Sequence, residues 1–226
     1  VVRAVGNNII IEGMHFQRSR EGDEECIFED VSLSFADESG IVLLFGPSGT
    51  GKSTLLYLLC GLLKPTRGII TVNDYRLSDP VSSRLHSRYR AFECTILFQN
   101  YPLVEWLTAS ENAKLFATEP EKAEECLAKL GLTKQRNRYV NKLSFGQRQR
   151  VAIAQTLLSN NRILLMDEPT SAVDQDNKIS VMELIQASAQ EQQRLILIAT
   201  HDPELIDFAD WMVNVNRYEL EKRKVR

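Results

Sequence analysis

Three features of the 226-residue sequence predict an α/β fold built on a mostly parallel sheet. The segment Ile41-Val42-Leu43-Leu44-Phe45 is apolar without alternation, the pattern of a strand covered on both faces by helices. A glycine-rich break from Gly46 to Gly51 follows, and then a helical stretch, Ser53 to Leu63, closed by Lys64-Pro65. Two further buried strands, Ile163 to Met166 and Leu195 to Ala199, are interleaved with helical segments at Ser144 to Leu158, Gln175 to Gln190 and Pro203 to Phe208.

Two additions decorate this core. Ile9 to Ile11 and the alternating Val31-Ser32-Leu33-Ser34-Phe35 predict an N-terminal antiparallel β subdomain, and Gly68 to Val72 reads as a further strand. Between its first strands, Arg18 to Glu25 is almost wholly polar and reads as an exposed hairpin tip without a functional role. After the strand Thr95 to Phe98, residues 100–142 become helical and loop-rich, with charged and apolar residues at helical spacing from Pro120 to Leu130. With the start of the 144–158 helix they form an inserted α-helical subdomain, so that residues 1–226 make one domain.

Composition narrows the function. A 43% hydrophobic and 25% charged chain is that of a folded globular protein. Net charge −3 argues against nucleic acid as a partner, because such binding draws on a basic surface. The longest apolar run, Leu55 to Leu63, is too short to span a bilayer, and Val1-Val2-Arg3 does not begin a secretion signal, so a cytoplasmic location is expected. Cys26, Cys60, Cys94 and Cys126 are scattered and read as reduced, mostly buried thiols. Lys222-Arg223-Lys224 and Arg226 read as a solvated basic tail.

The chemistry is concentrated in two segments. Gly46-Pro47-Ser48-Gly49-Thr50-Gly51-Lys52-Ser53, followed by Thr54, fits G-x-x-x-x-G-K-[ST] between a strand and a helix. Backbone N–H groups released by the glycines converge on phosphate oxygens at a helix N-terminus. Lys52 is placed for the β and γ phosphates of a nucleotide, and Ser53 for Mg²⁺. The strand Ile163 to Met166 delivers Asp167 and Glu168 at its C-terminal end, one carboxylate suited to Mg²⁺ and the other to polarising a water. Further along the chain's logic, Ser144-Phe145-Gly146-Gln147 fits a capping box, which explains the serine and the glutamine. It does not explain Gly146, since a glycine in the first helical turn costs about 1 kcal/mol and implies a close approach to the backbone.

Together these residues resemble the nucleotide-binding subunit of ATP-binding cassette (ABC) transporters, over essentially the whole chain and in the family's order: Walker A at Gly46 to Ser53, signature at Leu143 to Gln147, Walker B at Ile163 to Glu168. The resemblance implies a P-loop NTPase core, and further roles. Gln99 matches the Q-loop glutamine that touches Mg²⁺ or water, His201 the switch histidine at the γ-phosphate, and Ser171 to Asp174 the D-loop at a dimer interface. Phe16 lies about where the family stacks an aromatic on adenine, with Phe28 as its rival. Phe145 departs from the usual Ser-Gly-Gly-Gln without being read as inactivating.

What the resemblance implies for mechanism is a homodimer or heterodimer of ATPase subunits in which Ser144, Gly146 and Gln147 of one copy face the γ-phosphate held by the other. Integral membrane permease subunits then take up the motion and provide the only membrane contact. The apolar stretch Tyr101 to Leu107 is either their docking surface or part of the inserted subdomain's own core. Two alternatives stand beside transport: an ABC ATPase driving a non-transport process, and a non-catalytic ATP-dependent regulator.

Overall fold

The computed structural model describes residues 7–20, 23–78 and 83–226, without the side chains of Arg20, Asp23, Ser83 and Asp176. The terminal Val1-Val2-Arg3 and the Glu21-Gly22 part of the hairpin tip lie outside the described residues. A long hairpin, β1 (Ile9–Arg20) and β2 (Asp23–Phe35), opens the fold. Then come β3 (Gly40–Phe45), α1 (Lys52–Leu59), β4 (Arg67–Val72), β5 (Tyr75–Arg76), α2 (Ser83–Phe92) and β6 (Cys94–Leu97). The inserted part holds α3 (Ala109–Lys114) and α4 (Ala123–Lys129), and leads into α5 (Phe145–Leu157). The chain closes with β7 (Ile163–Asp167), α6 (Gln175–Glu191), β8 (Leu195–Thr200), β9 (Trp211–Val215) and β10 (Leu220–Lys224).

The sheets confirm an antiparallel N-terminal unit, ordered β2-β1-β4-β5, and a mostly parallel one, ordered β10-β9-β3-β8-β7-β6. Residues of β3 alternate between two hydrophobic cores: Ile41 and Leu43 belong to the one packed with α5 and α6, Val42 and Leu44 to the one packed with α1 and the hairpin. Burial on both faces is why the run shows no polar alternation. Parallel register pairs Phe45 with Thr200 and Asp167 with Ala199, so the C-terminal ends of β3, β7 and β8 stop at one level. That edge is where ligands bind in open α/β sheets. No helix among the described residues is long and apolar enough to cross a membrane.

Several elements differ from the sequence reading. The first helix ends at Leu59, because Gly61 takes a left-handed φ of 65° and breaks it before Lys64-Pro65. Pro203 to Phe208 is a 3-10 helix. The basic tail is no tail: β10 pairs antiparallel with β9, and the Lys222 ammonium sits 4.1 Å from the Phe35 ring and 4.2 Å from the Trp211 ring while pairing with Glu38 at 2.6 Å. A lysine can cover apolar surface with its stem and rest its charge on an aromatic face, which charge-based reading of a sequence misses. Helix α2 has no counterpart in the sequence reading: of its described side chains only His86 and Tyr89, spaced i to i+3, are buried, in a segment that carries Arg84, Arg88 and Arg90.

Candidate active site

The loop after β3 is shaped by glycines at two necessary points. Gly49 and Gly51 have φ of 86° and 97°, and a Cβ on Gly51 would lie 2.8 Å from both the Phe28 ring and Ile27 Cγ2. Gly51 caps α1 with no side-chain hydrogen bond, so the first-turn N–H groups are not consumed by a capping oxygen. Lys52 arches back over this loop, its Nζ donating to the carbonyls of Gly46 at 2.6 Å and Pro47 at 2.7 Å. Burial pulls the Lys52 ammonium below its ordinary pKa, against the opposing pull of Glu168 and Asp167.

At the end of β7, Asp167 is only 1% exposed and accepts from Ser53 Oγ at 2.9 Å and Tyr57 OH at 3.4 Å. Desolvation raises its pKa, and the hydroxyl donors oppose that rise. A hydroxyl and a carboxylate so placed form an all-oxygen donor set, the kind Mg²⁺ takes together with phosphate oxygens. Among the described residues no group of three His, Cys, Asp or Glu is placed to hold a metal ion.

Glu168 departs sharply from the strand it follows. Its φ is 50°, its N–H donates to Ala199 O at 3.0 Å, and its Oε1 lies 2.7 Å from Nδ1 of His201. The histidine is largely exposed and comes from the segment after β8, so the common level of the strand ends creates the pair.

A cleft of about 420 Å³ runs across these groups, from Arg18 and Glu25 of the hairpin, over Ser48 to Thr54, to Gln99 and Glu168. Gln99 thus joins Walker A at the far wall, whereas Gly46, Pro47 and Thr50 shape the loop from behind. Thr50 Oγ1 donates to Pro47 O at 3.0 Å. Phe16 does not line the cleft. It is 7% exposed and pairs with the fully buried Phe28 across the hairpin, so both belong to the hydrophobic core. The residue that reaches the cleft from β1 is Arg18, whose Nη2 donates to Thr54 Oγ1 at 3.3 Å. A polar hairpin tip gave no sign of this, because the contact joins residues 36 apart.

The signature residues stand apart from this cleft. Ser144 accepts from Gln147 N at 3.3 Å and Gln147 Oε1 accepts from Ser144 N at 3.1 Å, the predicted capping box. The close approach expected at Gly146 is made within the chain: a Cβ there would lie 2.4 Å from the carbonyl oxygen of Ala172. Asp174 caps α6 by accepting from Asn177 N at 3.1 Å. Neither Ser144, Gly146 nor Gln147 lines the cleft of its own chain.

A phosphate-shaped loop, a buried carboxylate paired with a hydroxyl, and a Glu–His pair at one sheet edge define a nucleoside triphosphatase of the phosphate-binding-loop class. Residues 28–171 match the model of the ABC transporter family. The ABC transporter ATP-binding protein YtrE of Bacillus subtilis (strain 168) is 36% identical over 197 residues, covering 84% of each chain. Two dimeric structures of the ATP-binding cassette MJ0796 superpose with TM-scores of 0.85 and 0.86 at 28% and 29% identity, covering 96% of this chain and 99% of theirs. One of them is a post-hydrolysis state bound to ADP and Pi. The chain belongs to the ABC transporter family, as an ATP-binding and ATP-hydrolysing cassette.

Proposed function

We propose that this cassette works as one half of an ATP-gated pair that drives membrane permease subunits. The observation that carries the reading is the split geometry: the cleft is lined by Walker A residues, Gln99 and Glu168, and not by Ser144, Gly146 or Gln147, which on this reading serve another chain's nucleotide. Dimeric MJ0796 supports this arrangement. ATP bound between two copies favours the closed pair, because it touches both only in that state.

Within one cleft, the loop N–H groups and Lys52 hold the phosphates, and Ser53, Asp167 and Gln99 would hold Mg²⁺, which when bound offsets charge on the β and γ phosphate oxygens. The ammonium of Lys52 exchanges its carbonyl partners for phosphate oxygens. Glu168 orients the attacking water and takes up its proton, with His201 fixing the carboxylate and facing the γ-phosphate. At the opposite end Arg18, in place of Phe16, lies against the base and ribose, since a planar guanidinium stacks on π faces. The permease subunits dock on the inserted helical part, where Trp106 is 77% exposed, and they hold the cassette at the membrane.

The test is Glu168→Gln. Phosphate release should fall at least about 10²-fold while gel filtration with Mg-ATP shows an accumulated dimer. Undiminished hydrolysis, or a protein that stays monomeric with ATP, overturns the reading. An intact Glu168 beside Lys52 and Asp167 favours turnover over the clamp that only binds ATP.

A further inference from the structure

Only six described non-glycine residues have positive φ, and two of them, Tyr101 at 45° and Glu168 at 50°, are hydrogen-bonded to each other through Tyr101 OH and the Glu168 carbonyl at 3.3 Å. Left-handed backbone at such residues persists only where the surroundings over-determine it. Around Glu168 the surroundings do so. Its carbonyl also accepts from Gln149 Nε2 at 3.0 Å and from Ser171 Oγ at 3.1 Å. Gln149 Nε2 donates as well to Tyr101 OH, and Tyr101 OH lies 3.4 Å from Ser171 Oγ.

The orientation of the Gln149 amide is set independently, because its Oε1 accepts from the backbone N–H of Ala172 at 3.0 Å and its nitrogen must therefore face the tyrosine and the carbonyl. One arrangement uses every proton: the two amide hydrogens go to Tyr101 OH and Glu168 O, and the phenol and the Ser171 hydroxyl each donate to Glu168 O. Gln149 is fully buried and Tyr101 5% exposed, so water cannot replace a lost member freely.

These four residues come from three places. Tyr101 follows Gln99 at the start of the inserted part, Gln149 sits one turn into the helix that begins at Ser144, and Glu168 with Ser171 follows β7. We propose that Tyr101 and Gln149 are positioning residues for Glu168: they hold its backbone in the left-handed state that aims the carboxylate into the cleft, and they make that aim depend on how the inserted part and α5 sit against β7. The proposal rests on Glu168 being the base. Neither Tyr101 nor Gln149 lines the cleft, and both act through the Glu168 carbonyl.

The test uses the full chain carrying Tyr101→Phe or Gln149→Met, with phosphate release, ATP affinity, thermal melting and Mg-ATP gel filtration measured together. The expected result is a kcat lowered about tenfold or more for Gln149→Met and several-fold for Tyr101→Phe, with ATP Kd within about twofold, as for loss of an interaction that matters only in the transition state. Both variants should accumulate the ATP-loaded dimer as Glu168→Gln does, which a merely loosened protein would not. Adding Tyr101→Phe to Glu168→Gln should slow turnover no further. Wild-type kcat in the tyrosine variant, or a fall in kcat matched by lost ATP affinity, overturns the positioning role. If Glu168→Gln itself keeps full turnover, the assignment of the base fails instead. Tyr101→Phe keeps the ring that packs 5.5 Å from Phe145, so it decides the matter even if Gln149→Met does not fold.

Discussion

His201 Nδ1 lies 2.7 Å from Glu168 Oε1, although 33 residues separate them in the chain. The carboxylate has a backbone clamp on one side and an imidazole on the other, so its direction is fixed twice. Replacing His201 with Ala should therefore lower kcat by about 10²-fold, the lower end of what a positioned acid–base group supplies, with ATP affinity nearly unchanged. Single-turnover hydrolysis read alongside equilibrium binding checks the split; equal loss in both would mean that His201 serves binding alone.

Asp167 points to a stability cost at the metal-facing end. Its pKa is raised in the fold from 3.8, chiefly by desolvation, so between that value and the raised one the native state binds more protons than the unfolded chain. Stability is then lost as pH rises through this window. Asp167→Asn should raise the melting temperature of the nucleotide-free protein by a few degrees at neutral pH, with the gain vanishing near pH 3.8 and Mg-dependent hydrolysis abolished. Melting curves from pH 3.5 to 7.5 provide the comparison, and a variant less stable at neutral pH contradicts it.

Arg18 reaches Thr54 Oγ1 from the hairpin, and the core position of Phe16 leaves the guanidinium as the flat group at that end of the cleft. Arg18→Ala should weaken ATP binding about tenfold, within the 1–3 kcal/mol that base stacking on a flat side chain contributes. Binding of tripolyphosphate should change little. Calorimetric titration of both ligands separates a base contact from a phosphate contact.

Trp106 is exposed, whereas Tyr101 of the same apolar stretch is buried. Trp106→Ala should shift stability by no more than about 0.5 kcal/mol, the usual range for an exposed site. Capture of the cognate membrane subunits in detergent should be lost. A clear drop in melting temperature would assign the indole to the interior of the inserted part.

The parallel strands could be read from the sequence because burial on both faces leaves an uninterrupted apolar run, as in Ile41 to Phe45. The capping box was equally legible, since Ser144 and Gln147 interact across three residues. What escaped depends on long-range packing. Lys222 looks solvated until Phe35 and Trp211 come beneath it, and Arg18 looks like a hairpin tip until α1 is folded against the hairpin. Gly146 announced a close contact, but only the fold reveals that Ala172 makes it.

That contact has a mechanical outcome. With no side chain between them, the start of α5 and the loop bearing Ala172 are butted together, while Arg150 Nε reaches back to the Gly146 carbonyl at 3.4 Å. On the proposed arrangement, a partner's nucleotide held at Ser144 would also pull on the link that runs from Gly146 through Ala172 and Gln149 to the Glu168 carbonyl. Recognition of the neighbour's nucleotide and readiness of the chain's own carboxylate would then be two ends of a single lever.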